Sequence, residues 1–188
     1  MKIRLPKLSS PRWRQPPQPH EYGDLWYREQ TTGPMRLVIG PSRDHINLIL
    51  ALLDLLPGPF GVLYVLLTPR REERPPGRYA AADISPAAVR GFLETYRTFF
   101  EQDGRHHVWV ESFSGPGLLV YDQHNVIYAY GPLDEFEATL RLRGFTQQEF
   151  RFPCPHAHHY HASLDEDEAA VMSYWPWHHS PLQPDDEL

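Results

Sequence analysis

The sequence predicts an α+β fold, an antiparallel-rich mixed sheet with about three helices packed on it, leaving room for two split β-α-β (ferredoxin-like) units. Two observations carry this. Three stretches repeat apolar residues at helical spacing between residues that cap helices, and short runs that alternate or stay apolar fill the remainder in the order β-β-α-β-α, then β-β-β-α-β. A chain of 188 residues suits one domain with tails and is too short for two full-sized cores.

In chain order, residues 1–23 read as a basic arm. Pro6, Pro11, Pro16, Pro17 and Pro19 oppose regular structure, and Lys2, Arg4, Lys7, Arg12 and Arg14 surround Trp13, so an extended, solvated tail is expected. Leu25–Gln30 and Met35–Gly40 flank Thr31-Thr32-Gly33-Pro34 as a hairpin. Ser42 reads as an N-cap with Asp44 in the first turn of a helix carrying Ile46, Ile49, Leu50, Leu53 and Leu56, stopped by Pro57-Gly58-Pro59. The apolar run Phe60–Thr68 reads as a strand buried on both faces that completes a β-α-β unit with residues 35–40. Pro69–Asp83, with Arg70, Arg71, Arg74 and Arg78, reads as a long loop.

Ser85 and Pro86 open a second helix with Val89, Phe92, Leu93, Tyr96, Phe99 and Phe100 on one stripe, ended by Gly104. His106–Phe113 alternates as a strand, and Leu118–Asp122 and Val126–Tyr130 pair across a loop in which Asn125 tolerates positive φ. A third helix starts at Pro132, carries Asp134, Glu135 and Glu137 early and Arg141 and Arg143 late, and ends at Gly144 with Phe145 folding back on Leu140. Residues 147–152 alternate as a half-buried strand. The division that follows is an arm over 1–23, an α+β domain over 24–162 and an acidic, Trp-rich segment over 163–188, where Ser163 can cap a short helix.

Composition excludes several classes. The single cysteine, Cys154, rules out an internal disulfide framework and any Cys₄ or Cys₂His₂ zinc site, and points to a reducing, cytoplasmic setting. Met1–Leu8 lacks the apolar stretch of a signal peptide, and the apolar run from Ile46 to Leu56 is too short and too interrupted to span a bilayer, so no membrane partner is expected. Residues 1–36 carry seven basic and three acidic groups, whereas residues 101–188 carry four and fifteen. A chain of net charge −6 repels nucleic acid, which makes a nucleic-acid partner unfavourable. No phosphate-binding, nucleophile-elbow, zincin or EF-hand motif occurs.

Three groups of residues bear on function. Nine of the eleven histidines follow residue 105, and the densest run is Cys154-Pro155-His156-Ala157-His158-His159-Tyr160-His161. If it is extended, Cys154, His156 and His158 project to one face and His159 and His161 to the other, so His156 and His158 can grip zinc together. Further ligands must then come from His159, His161, His178, His179, His106, His107 or His124 through the fold. The hairpin tip Asp122-Gln123-His124-Asn125, with Glu111 and Ser112 a strand away, holds acid-base groups but no positioned nucleophile. Last, Asp165, Glu166, Asp167 and Glu168 followed by Trp175 and Trp177 combine charge with aromatic area.

The leading expectation is a non-enzymatic interaction protein of bacterial type, toxin-neutralising or adaptor-like, that presents Asp165–Glu168, Trp175 and Trp177 to a basic protein partner without a cofactor. The alternative is a metal-dependent enzyme or metal sensor that holds zinc on the segment 156–161. A third is a small-molecule pocket between the sheet and the 69–83 loop.

Overall fold

The computed structural model describes residues 7–10, 18–70 and 74–187. β1 (Leu8–Ser10) and β2 (Gln18–Pro19) come first, β3 (Leu25–Glu29) and β4 (Arg36–Gly40) form a hairpin, and α1 (His45–Leu53) leads to β5 (Phe60–Leu66). β6 (Gly77–Ile84), α2 (Pro86–Thr95) and α3 (Arg97–Gln102) precede β7 (His106–Ser112), β8 (Leu118–Tyr121) and β9 (Ile127–Tyr130). α4 (Leu133–Leu142), β10 (Thr146–Gln147), β11 (Ala157–His158), α5 (Asp165–Tyr174) and β12 (His178–Ser180) complete the order.

Nine strands form one mixed sheet in the order β10-β3-β4-β9-β8-β7-β5-β6-β12. All neighbours are antiparallel except β10 with β3, and five α-helices accompany the sheet, so the α+β class holds. The pairings make β4 and β5 run the same way, yet β9, β8 and β7 lie between them, so α1 crosses over three strands that arrive later in the chain. Alternation then sorts the side chains. Trp26, Leu37, Ile39, Val62, Tyr64 and Ile127 face the helices in one core with Phe92, Phe136 and Leu140. The opposite face carries a small second cluster in which Tyr22, Val38 and Val126 are packed by Tyr27, Tyr128 and Phe150. Among the described residues no helix is long and apolar enough to cross a membrane.

Local chemistry explains most elements. Ser85 accepts the Ala88 amide at 3.3 Å with Pro86 at the first helical position. Gly144 takes φ 84, where a side chain would be strained, and the Phe145 amide returns to the Leu140 carbonyl at 3.0 Å, closing α4 as a Schellman turn. Four expectations need correction. Asp44, rather than Ser42, is the N-cap of α1, in the left-handed region without a side-chain cap, while Ser42 accepts the Gly23 amide and donates its own to Asp24. The second helix breaks at Tyr96 into α2 and α3. Residues 77–83 of the expected loop belong to β6, because Tyr79 is buried in the core and the strand is paired by β5 and β12. The strand expected over 147–152 is reduced to Thr146–Gln147, after which Phe150 leaves the ladder to cover Tyr22.

The arm differs as well. Its basic residues Lys2, Arg4, Arg12 and Arg14 lie outside the described residues, but Leu8–Ser10 is not a solvated tail: β1 is hydrogen-bonded between β2 and β11. At the other end, α5 buries Val171 and Met172 in the core and β12 pairs with β6. Asp186, fully buried, anchors the last turn through Arg78 at 2.8 Å.

Candidate metal centre

The β8–β9 turn is built around Asp122. Its carboxylate accepts the amides of His124 and Val126, each at 2.9 Å, and lies 3.0 Å from His124 Nδ1. Asn125 holds φ 64 and its side chain accepts the Tyr121 hydroxyl at 2.7 Å. Burial would raise the Asp122 pKa, but the hydrogen bond and charge of His124, with help from His107 and the Val126 amide, lower it. An ionised carboxylate only accepts, so Nδ1 of His124 is the donor in this contact.

The second half of the centre comes from the extended segment after β10. His156 directs Nδ1 to the Pro153 carbonyl at 2.9 Å, which again fixes the proton on Nδ1. His158 stands on β11 with Nε2 buried and without a hydrogen-bond partner among the described residues. Ring centroids of His124, His156 and His158 are 4.9 to 5.1 Å apart, and one nitrogen from each lies within 4.8 Å of the others. Tetrahedral zinc with ligand bonds of about 2.0–2.1 Å places its nitrogens roughly 3.3 Å apart, so a pair at the 4.8 Å limit would have to close by roughly 1.5 Å to share an ion. His158 is held neutral. Burial, followed by the neighbouring His124 and His156, lowers its pKa to about 4, against a weaker pull from Asp122.

Each engaged Nδ1 is the outer support that metal-binding histidines use to fix tautomer and ring direction. The cluster thus combines carboxylate support at His124, carbonyl support at His156 and a buried, unpartnered Nε2 at His158. His156 is exposed, so the cluster is open to solvent on that side. Cys154, also exposed, is not among the converging groups.

The remaining histidines go elsewhere. His159 turns to the opposite side, 2.7 Å from the Ser9 hydroxyl, with the His161 ring stacked 6.3 Å away. His106 is enclosed by Tyr64, Phe99 and Phe100, and His107 is buried on the other side of β7. His178 and His179 are exposed on β12, the latter against Tyr79. Lys7 was legible only as one cation of the arm. It is 1% exposed, donates to the carbonyls of Phe100 at 3.0 Å and Asp122 at 2.9 Å, and burial lowers its pKa to about 7 despite the pull of Asp122, Asp103 and Glu101.

Of the acidic cluster, Asp165 and Glu168 turn inward to Arg105, at 3.0 and 2.6 Å, while Glu166 is exposed and Asp167 half-buried. Trp175 and Trp177 are half-buried: the Trp175 ring lies 4.5 Å from Phe92, and Trp177 donates Nε1 to the Val171 carbonyl at 3.0 Å. Trp175 also borders a groove of about 630 Å³ on the outer sheet face with Trp109, Phe113 and Glu111, whereas Ser112 is buried and bonds the Pro57 carbonyl. No protein family, curated protein or solved structure matches this chain.

Proposed function

We propose that this protein is a metal-responsive binding protein that takes one zinc-class divalent ion on His124, His156 and His158. The observation that carries the reading is that one imidazole nitrogen from each of the three rings lies within 4.8 Å of the others, beside the hydrogen bonds that orient the His124 and His156 rings. Imidazole-only ligation suits zinc, copper or nickel, and a three-histidine set leaves an open position. Sensing fits better than catalysis. Both Asp122 oxygens are occupied by His124 and the turn amides, so this carboxylate is not free to act as a general base, and His158 sits on a two-residue strand with His156 just before it instead of on a long rigid element.

Titration of the chelator-stripped chain with zinc, read by calorimetry, is expected to give one site. His156→Ala/His158→Ala should abolish it without unfolding the chain, because His156 is exposed and His158 half-buried, whereas His178→Ala/His179→Ala, on the exposed β12, should retain it. X-ray absorption should show three nitrogen ligands. Absence of a one-to-one site, or its survival in the first double variant, overturns the reading.

A second reading, interaction with a basic protein partner, is favoured by the groove that joins Trp175 and Phe113 to Glu111. Phe113 is 50% exposed at its wall. Trp175→Ala should then raise the partner's off-rate while Glu166→Gln lowers its on-rate; equal rates in both folded variants exclude this region as the interface.

A further inference from the structure

We infer that metal binding at the three histidines and docking of the segment Lys7–Ser10 favour each other, so that metal occupancy controls whether this part of the N-terminal arm is held against the domain. The inference rests on the metal-binding reading and adds the element through which occupancy is felt.

One segment touches both halves of the centre. On the His158 side, β1 pairs with β11 in the register Leu8 to His158 and Ser9 to Ala157. The His159 amide donates to the Lys7 carbonyl at 3.0 Å, and the Ser9 hydroxyl meets the His159 ring. On the His124 side, the Lys7 ammonium donates to the Asp122 carbonyl, at the residue whose carboxylate orients the His124 ring, and lies 4.0 Å from the Tyr121 ring centroid. Lys7 and Leu8 are each 1% exposed, so this is an inserted strap and not a surface contact. On its outer side, the Leu8 carbonyl receives the His20 amide at 3.0 Å.

The two halves of the triad meet through ring contacts of His124 with His156 and His158. His124 belongs to a hairpin of the large sheet and His158 to the small three-stranded sheet, and the strap bonds to both. An ion that fixes the distance between the halves stabilises the gap into which the strap fits, and by linkage the docked strap raises affinity for the ion by the same factor. Couplings of this kind span about 5- to 150-fold.

Hydrogen exchange with mass spectrometry on the full chain, with zinc ions as the only added ligand and EDTA as the reference, reads this directly. The His20 amide is the reporter, because it bonds Leu8 and is not adjacent to any proposed ligand. The Phe136 amide, bonded to the Pro132 carbonyl at the start of α4, reports general stabilisation. Zinc is expected to slow the His20 amide by about tenfold more than the Phe136 amide. Reciprocally, Ser9→Ala, which removes only a hydroxyl, should weaken zinc binding several-fold, as should Lys7→Met where it folds. If one equivalent of zinc binds and both amides slow equally, with Ser9→Ala binding zinc as the native chain does, the coupling is refuted and the metal site stands. If zinc does not bind at all, both fall together.

Discussion

Arg105 is the residue whose replacement should damage the fold most. Its guanidinium is fully buried and makes five hydrogen bonds: two to Asp103 at 2.6 and 2.8 Å, one to Glu168 at 2.6 Å, one to Asp165 at 3.0 Å and one to the His161 carbonyl at 3.4 Å. Burial alone would lower its pKa, but the hydrogen bonds to Asp103 and Glu168 outweigh that and raise it, so the side chain stays charged. Arg105→Met leaves Asp103 and Glu168, 0% and 2% exposed, as unpaired carboxylates in the interior. Breaking one partner from such a buried pair costs about 3–5 kcal/mol, a large share of the roughly 5–15 kcal/mol that holds a domain together. For a chain of this size each kcal/mol is worth about 2–4 °C, so the melting temperature should fall by roughly 6–20 °C, read by thermal and urea unfolding with circular dichroism. Adding Asp103→Asn and Glu168→Met to the same variant should recover much of the loss, since the penalty belongs to the orphaned charges. Glu166→Gln, on an exposed residue of the same helix turn, should stay within about 0.5 kcal/mol of the native chain. Equal unfolding midpoints for Arg105→Met and Glu166→Gln would refute the assignment of Glu168 to the interior.

Asp122→Asn keeps an acceptor for the turn amides but no longer carries the charge that orients His124, so zinc affinity should drop about 10- to 100-fold with the fold retained; an unchanged affinity argues against the supporting role. His106 lies among aromatic rings with both nitrogens unpartnered among the described residues, and burial, then the charges of Lys7, His107 and Arg105, hold its pKa well below 6.5. Below pH 6.5 the unfolded chain therefore binds a proton that the folded chain does not, and stability should decline with acidification by about 1.4 kcal/mol per pH unit for this group. His106→Phe should flatten that slope in urea melts between pH 7.5 and 5 (both about), and an unaltered slope would place the titrating group elsewhere. Gly131→Ala would set a Cβ 2.8 Å from the Pro116 carbonyl at φ 133, whereas Gly144→Ala at φ 84 meets nothing within 4 Å. The first should cost about 2–3 kcal/mol and the second about 1 kcal/mol, an order that unfolding midpoints can reverse if the turn relaxes.

Much of the fold was legible because it rests on local rules. The helices starting at Pro86 and Leu133 begin and end on chemistry the sequence carries on its surface: Ser85, Pro86, Pro132 and Gly144. The hairpin over residues 118–130 was equally visible in its alternation and in Asn125. What alternation could not give was partnership across the sheet. Residues 77–83 looked like a loop because Arg78 and the alanines carry little apolar signal, and their strand exists because β5 and β12 flank them. At the centre, the period-two argument placed His156 and His158 together and His159 apart, as the small sheet places them. His124 could be named only as one of several further candidates, since its position depends on a fold-level approach between a hairpin tip and a segment about thirty residues later. Asp165 and Glu168 read as part of a surface offered to a basic partner because nothing near them in sequence announces Arg105.

The two margins of the nine-stranded sheet are its shortest members, Thr146–Gln147 and His178–Ser180. An edge this brief offers an incoming strand only a few main-chain groups to copy, and the side chains there, Thr146, Gln147, His178 and His179, are polar and exposed. Ordered growth by strand addition, the route by which wide sheets turn into fibres, therefore has little template on either flank. Association through this large sheet is left to its faces, where side chains and not the backbone ladder choose the companion.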